Sequence, residues 1–307
     1  MRSNEGNGTS GARVVVSSHV TSDSLTIGIT AQSTDRSMPL LDLAAATAER
    51  GFAALFVCEH THMPSDHTGW PPGDEDRFIT HLWDPFIALS FVAATTDLAI
   101  GTAVALPAQH DPIVLAKEIA TLDRLSGGRL TLGFGWGWNR EEVANHGYPP
   151  QERVAVLTEK LALMKALWTE NDVAFDGTYH HMSPSSSHPK PIQKPHPPVL
   201  LGVPGTARNF ARIAAWADGW IPHASPLLEA GFPAQLDEAR GAWQGAGRDP
   251  GRFDVTVLQL PETTDRLRHA IDNALTLGVR RLLFVVVEAD TTRTLRQLDE
   301  LAPLLTR

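Results

Sequence analysis

The chain has 307 residues, and its 42% hydrophobic content is enough for a buried core and argues against a disordered protein. Its net charge of -9, from 26 basic and 35 acidic residues, repels phosphate backbones, so we expect no nucleic-acid partner. Because no stretch approaches the roughly 20 apolar residues needed to cross a bilayer, we also expect no membrane partner.

The N-terminal segment and the only cysteine indicate the compartment. Residues 1–24 lack the charged, apolar and cleavage regions of a secretory signal, so we predict a flexible extension before one domain over residues 25–307. Cys58 excludes an internal disulfide and fits a reducing compartment. It lies in an apolar run, which favours a buried small side chain over a reactive thiol. We therefore expect a cytoplasmic protein with a small-molecule substrate.

Apolar runs of strand length alternate with helical patterns along the chain. The predicted strands cover 25–30, 53–58, 98–106, 129–134, 199–202, 218–221, 253–260 and 281–287. Each is followed by a predicted helix, at 39–50, 85–95, 112–125, 151–169, 206–216, 226–245, 262–277 and 291–305. A short hairpin is predicted around Asp176-Gly177.

This strict alternation defines the fold class. Alternating strands and helices predict an α/β fold, either a doubly wound sheet or a closed barrel. Eight units with no break that resembles a linker favour a (β/α)8 TIM barrel. The long segments 59–83 and 171–198 are then insertion loops, which we place at the C-terminal face, over the substrate.

Because active sites of such barrels gather where strands end, the segment after the second strand is the first candidate. Glu59-His60-Thr61-His62 follows that strand, with His67 nearby. Imidazole can shuttle protons or bind a metal near neutral pH. Three interpretations stay open: a solvated loop, a proton or cofactor contact by Glu59 or His60, and a metal site on His60 and His62. His223 and Asp290 could complete the metal site, although Asp290 lies three residues beyond its strand.

Two glycine-rich segments follow later strands. Gly202 to Thr206 leads into a helix, whose exposed amides and positive end make an anion cradle, with Arg208 in the first turn. The same glycines could serve turn geometry alone. Gly133 to Asn139 lacks the last glycine of a dinucleotide fingerprint. Its glycines allow a flat group to approach the backbone, with Trp136 and Trp138 as walls, or allow tight packing at the barrel rim.

At these residues the chain resembles the luciferase-like flavin- and deazaflavin-dependent oxidoreductases. The resemblance covers residues 25–225 and rests on the order and spacing of several segments. These are 51–60, 100–104, 115–129, 132–142, 160–168 and 217–222. The most similar branch is the mycobacterial-type one that uses coenzyme F420, rather than luciferase itself.

The resemblance implies a barrel in which an isoalloxazine-like ring lies across the strand ends. Glu59 and His60 would contact the ring or substrate, and a cis peptide backing the ring would be Thr102-Ala103. The implied cofactor-binding residues are Thr102, Ala103, Gly135, Trp136, Gly137, Trp138, Asn139, Gly202, Val203, Pro204, Gly205 and Thr206.

Two of the departures from the family pattern bear on the cofactor and the substrate. Val203-Pro204 separates Gly202 from Gly205, where the family usually has a glycine pair. Trp136 stands near the position of a catalytic glutamate in members that oxidise sugar phosphates, which disfavours that substrate class.

The function implied by the resemblance is hydride transfer between coenzyme F420 and a small organic substrate. His60 would give or take the proton, and Glu59 would orient His60 or touch the ring. A homodimer is expected because dimers are usual in the family. The alternatives are a monooxygenase that uses reduced FMN from a flavin reductase partner, a metal-dependent hydrolase using His60 and His62, and a barrel that binds cofactor without turnover.

Overall fold

A computed structural model of the chain describes residues 25–65, 78–287 and 290–306. Its strands are β1 (Thr26–Ala31), β2 (Ala54–Val57), β3 (Ala99–Thr102), β4 (Leu130–Phe134), β5 (Val173–Asp176), β6 (His181–Ser185), β7 (Val199–Gly202), β8 (Gly219–Ile221), β9 (Asp254–Gln259) and β10 (Arg281–Val286). Its α-helices are α1 (Leu40–Glu49), α2 (Pro85–Thr95), α3 (Pro112–Leu125), α4 (Arg140–Asn145), α5 (Arg153–Thr169), α6 (Ala207–Trp216), α7 (Phe232–Gly245), α8 (Thr264–Thr276) and α9 (Thr291–Leu301). The predicted extension at residues 1–24 lies outside the described residues.

Eight parallel strands close into a barrel in the order β1-β10-β9-β8-β7-β4-β3-β2. This confirms the predicted (β/α)8 TIM barrel. The β5–β6 pair is a separate antiparallel hairpin between α5 and β7, within the predicted insertion. None of the described helices is both long and apolar enough to cross a membrane.

The alternation of side chains along each strand divides the core into two clusters. Ala54, Phe56 and Leu283 form a small cluster of their own, and most other buried apolar side chains belong to a second, much larger one. Gly101, opposite Phe56 on β3, makes room for its ring, because a Cβ at residue 101 would lie 2.3 Å from Phe56 Cε1. The barrel therefore packs a bulky aromatic side chain where one neighbour has no side chain.

Three sequence predictions need correction. The helix predicted over 226–245 is a 3-10 turn at Pro226–Leu228 followed by α7, because Glu229 is extended and Pro233 favours a new first turn. The short helix α4 was missed. The cis peptide joins Ala103 to Val104, one residue beyond the predicted Thr102-Ala103, since β3 ends at Thr102 and the bulge begins after it.

Candidate active site

A cavity of about 640 Å³ opens at the carboxyl ends of the barrel strands. This is the face on which TIM-barrel enzymes place their active sites. Most of its lining is apolar or aromatic, with a few polar groups that converge on it, as in small-molecule sites of this size. The lining residues are Gln32, Cys58, Glu59, His60, Phe78, Ile79, Leu82, Ala103, Val104, Leu106, Gly135, Trp136, Gly137, Trp138, Arg153, Gly202, Pro204 and His223.

The cleft brings together most of the site residues predicted from the sequence. Those that line it are Glu59, His60, Ala103, Gly135, Trp136, Gly137, Trp138, Gly202 and Pro204. Five predicted residues lie outside the lining: Thr102, Asn139, Val203, Gly205 and Thr206. Thr102 is fully buried, and its hydroxyl donates to the carbonyl of Gly133 at 2.8 Å, so it joins β3 to β4. Asn139 is also buried, and its Oδ1 caps α4 by accepting from the Glu142 amide.

Val104 forms the part of the wall that carries the cis peptide. Its side chain fills the space above two glycines on neighbouring strands. A Cβ at Gly135 would lie 2.8 Å from Val104 Cγ2, and one at Gly202 would lie 2.5 Å from Val104 Cγ1. These glycines therefore serve close packing of the cleft wall.

Glu59 lies two residues after β2 and has a buried carboxylate, 3% exposed, whose two oxygens both have partners. Oε2 accepts from the Leu106 amide at 2.6 Å, and Oε1 lies 2.5 Å from His110 Nε2. The carboxylate thus holds the loop between β3 and α3 against the end of β2. It does not contact His60, so the predicted orienting contact between these two neighbours is absent.

His60 pairs instead with Glu142 on α4, and this carboxylate was not among the predicted site residues. His60 Nδ1 lies 2.9 Å from Glu142 Oε2, and Trp138 Nε1 donates to His60 Nε2 at 3.1 Å. The Thr61 amide donates to the other carboxylate oxygen of Glu142 at 3.2 Å. Asn139 and Glu142 are spaced as a capping box, which could have predicted both α4 and a fixed carboxylate beside Trp138.

Arg153, the first residue of α5, brings a positive charge to the cleft wall. Its Nη1 donates to the Pro150 carbonyl at 2.6 Å. Its Nε is buried and has no hydrogen-bond partner within the described part of the chain, where no carboxylate pairs with it either. A buried donor without a partner costs free energy, so this group fits an anionic or acceptor group of a bound molecule. Sequence patterns gave no signal for Arg153.

Cys58 also lines the cleft, although the sequence favoured a fully buried position. It is partly exposed. Burial, with a smaller contribution from the nearby Glu59 carboxylate, raises the pKa of its thiol to about 12. The thiol is therefore neutral near pH 7, in agreement with the expected small, unreactive side chain.

The turn after β7 is built partly for packing and partly as a helix start. Thr206 Oγ1 caps α6 by accepting from the Asn209 amide at 3.3 Å, which leaves the first amides of the helix for another acceptor. Gly205 has a packing reason, since a Cβ there would lie 3.2 Å from both Phe210 and Trp220. Arg212 lies over the Trp136 ring at 5.6 Å, which places a guanidinium beside the cleft wall.

The two central histidines of the metal hypothesis, His60 and His62, already have partners. Both ring nitrogens of His60 are engaged by Glu142 and Trp138, and those of His62 by Thr61 and Asn145. Asp290 caps α9. Within residues 25–65, 78–287 and 290–306, no three His, Cys, Asp or Glu side chains form a group able to hold a metal ion. His67 lies outside these ranges.

A second cavity, of about 560 Å³, lies at the opposite end of β7 to β9. Two carboxylates of its lining form ion pairs: Asp218 with Arg248 at 3.3 Å, and Asp254 with Arg281 at 2.8 Å. Residues on this face of a TIM barrel generally serve stability. The cleft at the carboxyl ends is therefore the candidate active site.

Comparison with known proteins agrees with this geometry. A family model described as luciferase-like monooxygenase matches residues 14–298. An uncharacterized protein of Mycobacterium tuberculosis is 38% identical over 287 residues, which cover 91% of this chain and 98% of the relative. An F420-dependent glucose-6-phosphate dehydrogenase of Kineococcus radiotolerans is 29% identical over 71% of this chain and 62% of its own length. An FMNH(2)-dependent dimethylsulfone monooxygenase of Pseudomonas putida is 31% identical over 60% of this chain and 50% of its own length.

Solved structures share the fold at lower identity. A monooxygenase of Streptomyces bottropensis superposes with a TM-score of 0.74 at 22% identity, covering 92% of this chain and 98% of its own. An F420-dependent secondary alcohol dehydrogenase superposes with a TM-score of 0.70 at 18% identity, covering 92% and 99%. At these identities, the likeness supports the barrel architecture alone.

Proposed function

Because the chain belongs to the luciferase-like monooxygenase family, we propose that it is an oxidoreductase that uses coenzyme F420 to oxidise or reduce a small organic substrate. The enzyme class follows from the family and from its oxidoreductase and monooxygenase relatives. The choice of coenzyme F420 is our proposal. It is supported by the F420-dependent relatives and by the resemblance in the segments that contain Glu59 and Trp136.

One observation carries the proposal: a histidine with a buried carboxylate partner faces an aromatic-walled cleft at the strand ends. His60 lines this cleft beside Trp136 and Trp138, and Glu142 holds its Nδ1. An imidazole in such a position can give or take a proton at a reacting atom. Bound coenzyme F420 would supply the carbon that carries the hydride.

The residues present fit such a cofactor in three ways. The volume of about 640 Å³ suits a flat tricyclic ring, and the wall offers two indoles against which it could lie. Arg153 has a buried donor without a partner among the described residues. The start of α6, behind Gly202 and Pro204, offers free amides to a phosphate.

The wall also bears on the substrate. Trp136 occupies the segment in which sugar-phosphate-oxidising members carry a catalytic glutamate, and it lines the cleft. We therefore propose a substrate other than a sugar phosphate, although glucose-6-phosphate dehydrogenases are among the relatives. An apolar lining that includes Phe78, Ile79 and Leu82 favours a substrate with apolar surface.

A monooxygenase that uses reduced FMN is the second candidate, since relatives of that type match the chain at similar identity. Titration of the purified, metal-stripped chain separates the two. We expect coenzyme F420 to quench tryptophan fluorescence at lower concentration than FMN does, because Trp136 and Trp138 line the cleft. Trp136→Phe should reduce the quenching without abolishing binding measured by calorimetry.

Each outcome of the titration assigns a function. Tighter binding of FMN would transfer the proposal to the monooxygenase. Binding of neither cofactor, with hydrolytic activity restored by zinc, would replace it with the metal-dependent hydrolase. Stoichiometric binding of coenzyme F420 without turnover across a panel of alcohols, ketones and enones would favour a binding protein.

A further inference from the structure

The ring of His60 is held at both nitrogens by groups of known hydrogen-bonding character. Trp138 Nε1, 3.1 Å from His60 Nε2, can only donate. Nε2 must therefore accept, so it carries no proton in this arrangement. The proton of the neutral ring then resides on Nδ1, which donates to Glu142 Oε2 at 2.9 Å. The partners thus assign one tautomer, with the acceptor nitrogen on the Trp138 side.

Glu142 is fixed for this contact from several directions. Its side chain is 0% exposed. One oxygen accepts from His60 and the other from the Thr61 amide at 3.2 Å. Its own amide donates to Asn139 Oδ1 at 2.8 Å, which secures the start of α4. Among the described residues, no lysine or arginine forms an ion pair with Glu142, so His60 is the partner that can balance its charge.

We propose that Glu142 is a positioning residue that sets His60 as the proton acceptor of the reaction, with Nε2 as the accepting atom. This inference rests on the proposed function, because it assumes that His60 serves a substrate in the cleft. When a substrate hydroxyl replaces the indole, its O–H bond breaks and the electron pair stays on oxygen. The proton forms an N–H bond with the lone pair of Nε2. The resulting positive ring lies against the buried carboxylate of Glu142.

Access to Nε2 requires that Trp138 give way. The Trp138 side chain is 47% exposed, and its ring meets His60 edge-on, with centroids 5.6 Å apart. Gly137, just before it, has a φ of 77°, a conformation that favours glycine. A half-exposed indole at the cleft wall can be displaced without opening the core. In the reverse direction, the protonated ring would return the proton from the same atom.

If Glu142 had a purely structural role, its replacement would have different effects. If Glu142 only anchored residues 60 and 61, its replacement would lower stability and leave the ring chemistry unchanged. Nitrogen-15 spectra of labelled histidine in the full chain distinguish the roles, because the two ring nitrogens give separate signals for protonated and unprotonated states. In the wild type, we expect Nδ1 of His60 to carry the proton and Nε2 to carry none. His60→Ala identifies the signals.

The variant Glu142→Gln tests the role, and Glu159→Gln is its matched control. Glu159 also contacts a histidine, His180 at 3.1 Å, but it does not line the cleft. We expect Glu142→Gln to move the two ring signals of His60 toward each other and to lower turnover by about 10²-fold. The dissociation constant of coenzyme F420 should stay within about threefold. Glu159→Gln should leave both the signals and turnover unchanged.

Several results would overturn the inference while the proposed function stands. A wild-type spectrum with the proton on Nε2 would do so without any variant, even if Glu142→Gln failed to fold. Unmoved ring signals or near-wild-type turnover in folded Glu142→Gln would do so as well. Glu142→Asp keeps the charge and should recover part of the lost turnover. Failure of coenzyme F420 to bind the wild type would instead remove the proposed function.

Discussion

Glu59 and His60 are adjacent in the chain, yet each pairs with a distant residue of the opposite kind, and the two pairs differ in what they face. Glu59 pairs with His110 at 2.5 Å, and its second oxygen holds the Leu106 amide. His60 pairs with Glu142 at 2.9 Å, and its second nitrogen is held by the half-exposed Trp138. In the Glu59–His110 pair, both carboxylate oxygens bind groups of the loop between β3 and α3. In the His60–Glu142 pair, His60 Nε2 lies beside Trp138 in the wall of the cleft.

A residue of α5 also binds the loop that the Glu59–His110 pair holds. Lys160 Nζ donates to the Ala108 carbonyl at 2.8 Å and to the His110 carbonyl at 2.5 Å. Burial opposes a charge on the His110 ring, but the bond to Glu59 raises the His110 pKa. The Glu59–His110 pair therefore fixes the loop that carries Val104 and Leu106 into the cleft wall. The comparison teaches that a glutamate–histidine pair serves structure or chemistry according to what its remaining polar atoms contact.

The largest expected effect comes from breaking the structural pair. Glu59→Ala leaves the half-buried His110 ring and the Leu106 amide without their partner, and breaking such a pair typically costs about 3 to 5 kcal/mol. We expect the free energy of unfolding, measured with urea at pH 7, to fall by about 3 kcal/mol. Glu141→Ala, at an exposed position beside Glu142, is the control and should change it by less than about 0.5 kcal/mol.

A small loss of stability in Glu59→Ala would show that the loop does not depend on this pair. If the loss were below about 1 kcal/mol while turnover collapsed, Glu59 would belong with the chemical pair, as the sequence suggested. The comparison between the two pairs would then fail.

The chemical pair should respond in the opposite way. His60→Ala removes the proton-accepting ring, so turnover should fall by about 10²-fold or more, a loss typical of acid–base groups. The dissociation constant of the cofactor should change little. His62→Ala is the control, because His62 contacts Thr61 and Asn145 rather than the cleft. Equal losses of turnover in both variants would point to the metal hypothesis. Unchanged turnover in His60→Ala would show that His60 takes no part in the mechanism.

The barrel could be predicted from the sequence because each strand–helix unit is a local pattern. The run 98–106 and the helix start at Asp111-Pro112 can be recognised without knowing what they contact. The positions of the cleft segments followed from the same pattern, since loops after parallel strands meet at one end of a barrel. Most residues of the wall could therefore be named in advance, including Trp136 and Trp138.

The partners of those residues could not be predicted, because they depend on distances across the barrel. His110 lies 51 residues from Glu59, and Glu142 lies 82 residues from His60. Although Glu59 and His60 are adjacent in the chain, their side chains bind partners on different segments, so the Glu59 carboxylate does not orient the His60 ring. The six-residue helix that carries Glu142 was too short for a periodic pattern. Its capping spacing, Asn139 to Glu142, was the available signal.

The smallest expected effect is the pH dependence of stability that Lys160, a second anchor of the same loop, contributes. Burial lowers the pKa of Lys160 to about 8 in the folded chain, below the 10.5 of an ordinary lysine, although Asp111 opposes the shift. Between these two pH values the unfolded chain binds the extra proton, so this group makes stability rise with pH. Lys160→Met lacks that rise and also loses the two carbonyl contacts at every pH. We expect the wild-type advantage in urea unfolding to grow by about 2 kcal/mol from pH 8 to 10. A constant difference would mean that Lys160 stays protonated in the fold, with its charge stabilised by the two carbonyls it holds.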